Sequence, residues 1–495
     1  MNVLVGVDIG TTNVKALAFS AKTNQIVALA STAVPTYCPR PGYAEQDPDE
    51  IWSLFGRVID DLTAQLRAKA AVIDGVCFSA AMHSLLAVDP AGKPLTRAII
   101  WSDNRSEAQA RALRAELSAL GRDFYAHTGI PMHPMIPLCK LAWFRKHQPR
   151  LLQRAHKWLS IKEYVWWKLT GTYQVDYSMA TATGLFDSRR RAWYPAALDY
   201  AGLRPDQLSE PVPTTRFLPY EPGRPTVATT ALPAGVPLYI GASDGCLANL
   251  GAGAIEPGVT TLTIGTSGAI RRTISKPLRE QEGRLFCYIL NVDDPDEPDY
   301  YIVGGPTNNG ANVLQWLAEK LTQADVASVL TEAQAVPAGA DGLLFLPYLQ
   351  GERAPIWNAD ARGAYLNVDW RHTRAHFVRA ALEGVLFNLL SIERLLARQT
   401  GPTTEIHANG GFARSAFWVQ MLADIFGVPV RLNTTNESGA IGAILLMMTA
   451  KGDAATLAEA ARRVGFGATF APDPVRHKQY RLAFRQWETA VRRQY

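Results

Sequence analysis

The chain contains no run of 18 apolar residues, so no segment reads as a membrane-spanning helix and no membrane partner is expected. Cysteine is scarce. Cys38, Cys77, Cys139, Cys246 and Cys287 are odd in number and widely spaced, which fits neither a disulfide framework nor a zinc pattern. Cys246 reads as a small buried filler rather than a nucleophile. Net charge is small as well: 50 Lys and Arg face 45 Asp and Glu, a formal +5. The basic residues are scattered apart from short clusters such as Arg189–Arg191, the pattern of a solvated surface, and no nucleic-acid partner is expected. The N-terminus runs into an apolar strand, Val3–Ile9, with no basic region and signal core ahead of it, so the expected location is cytoplasmic.

What is present suits a soluble enzyme. A chain of 495 residues, 47% of them apolar, is too long for one ordinary core and calls for two large domains. Val3–Ile9, Val14–Phe19 and Ile26–Ser31 read as strands joined by short turns. Pro48 opens a helix through about Ala68, and the strand Val72–Ser79 follows. Three strands before the first helix argue against a dinucleotide fold, which needs a helix directly after its first glycine-rich turn. Helical stretches rich in tryptophan follow at Leu138–Phe144 and Ile161–Leu169, where the aromatics read as core or cleft wall.

Near the middle the pattern begins again. Val5–Phe19 reads strand, Ile9-Gly10-Thr11-Thr12, strand; Thr260–Ile274 reads strand, Ile264-Gly265-Thr266-Ser267, strand. The repeat, about 255 residues on, suggests two similarly built halves, although a single match could arise by chance. Gly251, Gly253 and Pro257 interrupt the pattern, placing the expected boundary at 1–250 and 251–495.

Asp8 through Lys15 is not a Walker A loop, because its turn joins two strands. Gly10 lets backbone amides approach an anion, and the Thr11 and Thr12 hydroxyls, with Asn13 beside them, can donate to phosphate oxygens. Asp8, ending a strand, suits Mg²⁺, which prefers oxygen ligands, and Lys15 could offset phosphate charge unless strand alternation turns it to solvent. Gly265, Thr266 and Ser267 repeat this chemistry, and two facing hairpins could hold a triphosphate across a cleft. Gly410 and Gly411, with Ser415 at the following helix, form a strand-to-helix junction able to take a nucleobase or ribose. Gly305 and Asn309 mark another such junction, and each of these segments could equally be a turn and nothing more.

Asp244 follows the strand-like Tyr239–Ser243 and precedes Gly245. A carboxylate there could take the proton of an acceptor alcohol as its bond to phosphorus forms, or could simply cap the next helix.

Together these segments resemble the FGGY family of carbohydrate kinases over almost the whole chain. Met135–His147 looks like the family's first signature; Gly363–Val368, His376-Phe377 and Ala380–Glu383 look like the second, with Asn367 where that pattern usually has glycine. The resemblance implies an α/β chain of two actin/hexokinase-like (ribonuclease H-like) domains flanking a central catalytic cleft. It also implies ATP and Mg²⁺ as cofactors, a small sugar or sugar acid as partner, and closure that excludes water. Carried over residue by residue, Asp8–Lys15 and Gly265–Gly268 look like the phosphate motifs, Gly410, Gly411 and Ser415 like the adenosine motif, and Asp244 like the catalytic aspartate. The family places sugar in the N-terminal domain and ATP largely against the C-terminal one.

For the substrate, Ala81-Met82-His83-Ser84 resembles a loop that reads Met-His-Gly in xylulose kinases, with Ser84 replacing the glycine. Met82 could pack on the carbon chain and His83 bond a hydroxyl or carboxylate, or His83 could be a core histidine. In the loop Ile100–Arg105, Asp103 is expected to grip hydroxyls, with Trp101 either beside the sugar or packing alone. Larger blocks, Ser79–Asp89, Gly129–Met135, Lys162–Tyr164 and Asp176–Phe186, look most like the gluconate kinases of this family. The expected substrate is therefore D-gluconate, then D-xylulose, then another ketose or polyol. A nucleotide-switched protein of the actin or heat-shock type, or a silent sugar sensor, would share parts of this pattern. Met82, His83, Trp101–Asp103, Asp8 and Asp244 occurring together argue against both. The sequence sets no oligomeric state, and a homodimer is compatible with it.

Overall fold

The computed structural model describes residues 1–115, 120–292 and 298–495. The first half is built on a six-stranded sheet. Its strands are β1 (Asn2–Ile9), β2 (Asn13–Ser20), β3 (Gln25–Ala33), β4 (Val72–Ala80), β5 (Phe217–Pro219) and β6 (Pro237–Ser243), in the order β5-β6-β4-β1-β2-β3. β1, β4 and β6 run parallel, while β1-β2-β3 form an antiparallel meander. Helix α1 (Pro48–Ala68) crosses from β3 to β4, capped by the Asp47 side chain and with Pro48 in its first turn. Its buried residues Ile51, Leu54, Phe55, Val58, Ile59, Leu62 and Leu66 recur at helical spacing and seal one face of the sheet. Helices α2 (Pro137–His147) and α3 (Ile161–Thr170) carry Trp143, Trp166 and Trp167 into the interior.

Helix α4 (Asp244–Gly251) follows β6 and leads to a seven-stranded sheet. Its strands are β7 (Val259–Ile264), β8 (Gly268–Ile274), β9 (Phe286–Asn291), β10 (Tyr300–Thr307), β11 (Glu405–Asn409), β12 (Val430–Asn433) and β13 (Phe466–Phe470). The order is β9-β10-β8-β7-β11-β12-β13. Leaving aside the edge strand β9, the second sheet repeats the first: β10-β8-β7 answer β3-β2-β1, and β11-β12-β13 answer β4-β6-β5. Helix α5 (Ala311–Trp316) follows β10, α6 (Arg374–Thr400) then crosses to β11, α7 (Ala416–Phe426) follows β11, and α8 (Ser438–Lys451) follows β12.

The repeat is not uniform at the hairpins. Four residues separate the paired Ile9 and Val14, but three separate Ile264 and Gly268. The pairing with the leading strand sets the face of each returning residue, so Leu17 opposite Gly6 and Arg271 opposite Thr261 hold equivalent places.

Helices α4 and α8 cross in contact between the sheets. A Cβ on Gly251 would lie 1.9 Å from the Ser438 carbonyl oxygen, and one on Gly442 would lie 1.9 Å from that of Leu247. Only glycine allows the backbones so close. Asn367, standing where the family signature has glycine, adopts the left-handed conformation itself, with φ 61°; asparagine tolerates that region better than most residues. Among the described residues no helix is long and apolar enough to cross a membrane.

Candidate active site

The parallel strands β1, β4 and β6 end side by side, and side chains at the carboxyl ends of such strands face the crevice beyond them. Asp8 lies on β1 opposite Ser79 of β4, whose hydroxyl donates to Asp8 Oδ1 at 2.7 Å. Asp244 opens α4 directly after β6, with Oδ1 accepting from the Gly245 amide at 2.6 Å. Burial pushes the Asp244 carboxyl up to about 6, helped by the nearby charge of Asp8 and opposed by Arg271. A carboxylate so poised accepts a proton readily at neutral pH. Burial also holds Asp8 above its ordinary range, against the Ser79 hydrogen bond and the charge of Lys15.

Both halves line a cavity of about 280 Å³ at this edge. From the first half come Thr11, Met82, His83, Trp101, Met135 and Asp244; from the second come Ser267, Arg271, Tyr288 and Arg353, among others. His83 sits in the left-handed region at φ 68°, a strained conformation of the kind that clusters at binding sites. Its Nδ1 lies 2.9 Å from the Ala182 carbonyl oxygen, an acceptor, so Nδ1 carries the proton and Nε2 presents a lone pair. Burial and the charge of Lys140 drop its pKa to about 3, keeping the ring neutral. His83 is thereby suited to accept from a hydroxyl, and not to pair with a carboxylate. Trp101 Nε1 donates to Thr11 Oγ1 at 3.3 Å, tying the sugar-side loop to the first hairpin.

Arg271 and Arg353 were not singled out by sequence reasoning. Arg271 lies on β8 and Arg353 in the loop Gly351–Pro355, and the Nε of each is buried without a hydrogen-bond partner among the described residues. Burial lowers the pKa of both, Arg353 to about 10. Arg353 donates to the Thr307 carbonyl at 2.9 Å and lies 5.2 Å from the centre of the Trp101 ring. Glu352 next to it accepts from Thr307 Oγ1, the Asn308 amide, Asn309 Nδ2 and Asn388 Nδ2, fixing the loop that carries Arg353. The available signal was an arginine pair inside the otherwise apolar strand Gly268–Ile274.

Several candidate residues sit differently from expectation. Asp103 is absent from the cavity wall, because its buried carboxylate accepts from the Ala44 amide and from the Arg105 amide, Nε and Nη2. Every lone pair it could offer a sugar is engaged within the protein. Lys15 pairs with Glu437 at 2.9 Å. Gly305 lies inside β10, where a Cβ would come within 2.6 Å of Ala354, so its smallness serves packing. Asn309 is buried, with Nδ2 bonded to the Gly351 carbonyl and Glu352.

Both hairpin turns are closed by a backbone hydrogen bond from their glycine. The Gly10 amide closes the first turn onto the Asn13 carbonyl at 2.9 Å, while Thr12 is exposed at its tip. The Gly265 amide bonds the Ser267 carbonyl in the second, whose Thr266 is likewise exposed. The amides of Ala311 and Asn312 bond the carbonyls of Gly265 and Thr266, so the 308–312 turn rests on this hairpin. Gly410 joins the group at φ 106°, where a Cβ would meet the Ile264 carbonyl oxygen at 2.4 Å. Ser415 caps α7 by accepting from the Trp418 amide, and Gly411 is open. The residues present fit Mg²⁺: Asp8 and Asp244 offer hard oxygen donors, and a Cβ on Gly439 would stand 3.2 Å from Asp8 Oδ2, so glycine leaves that oxygen open. Among the described residues no three His, Cys, Asp or Glu side chains form a metal cluster.

Residues 3–251 match the N-terminal domain, and residues 260–451 the C-terminal domain, of the FGGY family of carbohydrate kinases. The chain belongs to that family. It is an ATP-dependent kinase acting on a sugar or sugar acid. It is 40% identical to gluconokinase of Bacillus subtilis (strain 168) over 491 residues, 97% of this chain and 93% of that one. Xylulose kinase of the same strain is 29% identical over 494 residues, 98% of this chain and 95% of that one. Among solved structures, a gluconate kinase from Lactobacillus acidophilus superposes with a TM-score of 0.92 at 32% identity, covering 99% of this chain and 97% of its own. A ligand-bound xylulose kinase from that organism gives the same TM-score and identity, covering 99% and 98%.

Proposed function

We propose that the protein transfers the γ-phosphoryl group of ATP to the 6-hydroxyl of D-gluconate, giving 6-phospho-D-gluconate and ADP. Equal likeness to a gluconate kinase and a xylulose kinase means that backbone shape does not choose the sugar. The observation that carries the choice is the pair Arg271 and Arg353 in the cavity that holds Asp244, each with a buried Nε lacking a partner. An Nε–H buried without an acceptor is costly, and a substrate carboxylate can accept from both guanidinium groups with its full charge. A neutral ketose offers only uncharged acceptors. The 40% identity to gluconokinase points the same way.

In this reading the first half binds sugar and the second binds nucleotide. Met82 packs on the carbon chain, His83 Nε2 accepts from a hydroxyl, and Trp101 forms the wall. Asp103 acts one step back by holding Arg105 and the Ala44 amide. Asp244 accepts the 6-hydroxyl proton as the oxygen bonds to phosphorus and the bond to the β-phosphate oxygen breaks. At the turns Gly10–Asn13 and Gly265–Ser267 the hydroxyls, and the amides that do not already close the turns, orient the phosphates, while Gly410, Gly411 and Ser415 face the nucleoside. Asp8 would hold Mg²⁺, which would supply neutralisation of charge on the phosphoryl oxygens.

The test is kinetics on D-gluconate and D-xylulose with identification of each product. Gluconate is expected to give the higher kcat/KM and the 6-phosphate. A clear preference for xylulose would overturn the substrate and leave the proton-transfer scheme standing.

A further inference from the structure

Lys140 is the one buried lysine of α2, fully enclosed and outside the wall of the cavity that holds Asp244. Its Nζ donates to three backbone carbonyls, His83 at 2.5 Å, Ile99 at 3.1 Å and Ile100 at 2.9 Å, and to no carboxylate among the described residues. The first belongs to the strained turn that presents Met82 and His83, and the other two immediately precede Trp101. A buried ammonium with no carboxylate in hydrogen-bond contact is expensive even with the charge of Asp103 nearby, and an apolar side chain would fill this face of α2 at lower cost. Three acceptors also match the three N–H bonds of an ammonium, whereas a neutral amine has only two.

We propose that Lys140 is a positioning residue that fixes the sugar-binding wall by pinning two loops at one point, and that it does so only as the ammonium ion. The proposal rests on the reading that Met82, His83 and Trp101 meet the sugar. The groups facing Lys140 are Asp103 and Arg105 from the loop at 100–105, His83 from its own turn, His133 from the segment before α2, and Cys139 beside it. Of these, His83 and His133 are held neutral by burial, and burial raises Cys139 to about 12. Burial lowers Lys140 itself to about 7, which places its proton loss within reach of ordinary assays. The direction is fixed: sugar affinity is full below that value and declines as pH rises through it. Asp244, raised to about 6, is kept in Lys140→Met, so that variant separates its titration from that of Lys140.

The experiment is calorimetry of D-gluconate binding to the full chain between pH 6.5 and 9, in buffers of differing ionisation enthalpy. In the wild type, affinity should fall roughly tenfold between pH 7 and 8.5, with proton uptake on binding at pH 8. In Lys140→Met, gluconate affinity should already be lower by on the order of tenfold to a hundredfold at pH 6.5. It should no longer vary on the alkaline side, and nucleotide affinity should stay within about twofold of wild type. Flat wild-type affinity without proton uptake overturns the proposal, and that arm requires no variant to fold. A folded Lys140→Met with unchanged gluconate affinity overturns it as well. Met82→Ala separates the underlying reading: if that variant binds gluconate like wild type, the sugar wall is misplaced; if it binds weakly while Lys140→Met does not, Lys140 alone is wrong.

Discussion

The hairpins around Gly10 and Gly265 occupy the same place in their two sheets, yet they bring opposite charge to the cleft. The first ends its leading strand with Asp8, cross-strand from Lys15. The second has Thr263 before its Ile-Gly pair, cross-strand from Ala269, and its returning strand sends Arg271 into the cavity. In the first sheet the residue at the cross-strand place of Arg271 is Leu17, which is buried in the core. Repetition supplies two strand ends and two amide-lined turns. It does not supply chemistry, because a metal-phosphate chain needs an acid on one side and a sugar acid needs a cation on the other. The shorter second turn accompanies that divergence.

The comparison can be broken at its acidic side first. Asp244→Asn keeps the side chain's volume but cannot take a proton, so turnover should fall roughly 10²–10⁴-fold with both ligands still binding. In the wild type, kcat/KM should rise with pH through about 6, the value to which burial lifts Asp244, and single-turnover rates on the variant should lose that limb. Because the folded pKa is raised, ionised Asp244 opposes folding above its unfolded value, and the variant should melt at a higher temperature near neutral pH. Asp8→Asn comes next. Turnover should drop about 10²–10³-fold, with a higher Mg²⁺ requirement, since one group aimed at developing charge is lost. Wild-type turnover at limiting Mg²⁺ would remove Asp8 from the metal. The smallest effect belongs to Lys15→Met. Its ammonium is spent on Glu437 at a partly exposed site, so nucleotide affinity should change by less than about threefold. A larger loss would return Lys15 to the phosphates.

Much of the frame was legible because it is local. Strands Val3–Ile9 and Val72–Ser79, the helix from Pro48 and the second hairpin follow from apolar alternation, a proline start and a Gly-hydroxyl turn, and the structure has them where those signals lie. The placement of Asp244 at a strand-to-helix junction was legible for the same reason. Side-chain commitments were not, because they depend on residues distant in sequence. Asp103 is filled by Arg105 two residues on together with the Ala44 amide 59 residues back, and Lys15 meets a partner 422 residues away. Gly305 reads as a turn glycine, but Ala354 and Ile392 determine its use. Arg271 was hidden by the hairpin's own likeness to the first, since the repeat predicts a core residue at that place.

If the second hairpin's strand makes this cleft one for a sugar acid, calorimetry of D-gluconate and D-xylulose on Arg271→Met beside the wild type will separate the two sugars. Gluconate affinity should fall about tenfold to a hundredfold, the loss of a hydrogen bond to a charged group, with xylulose affinity within about threefold of wild type. Equal losses for the two sugars, or none for gluconate, would contradict the account.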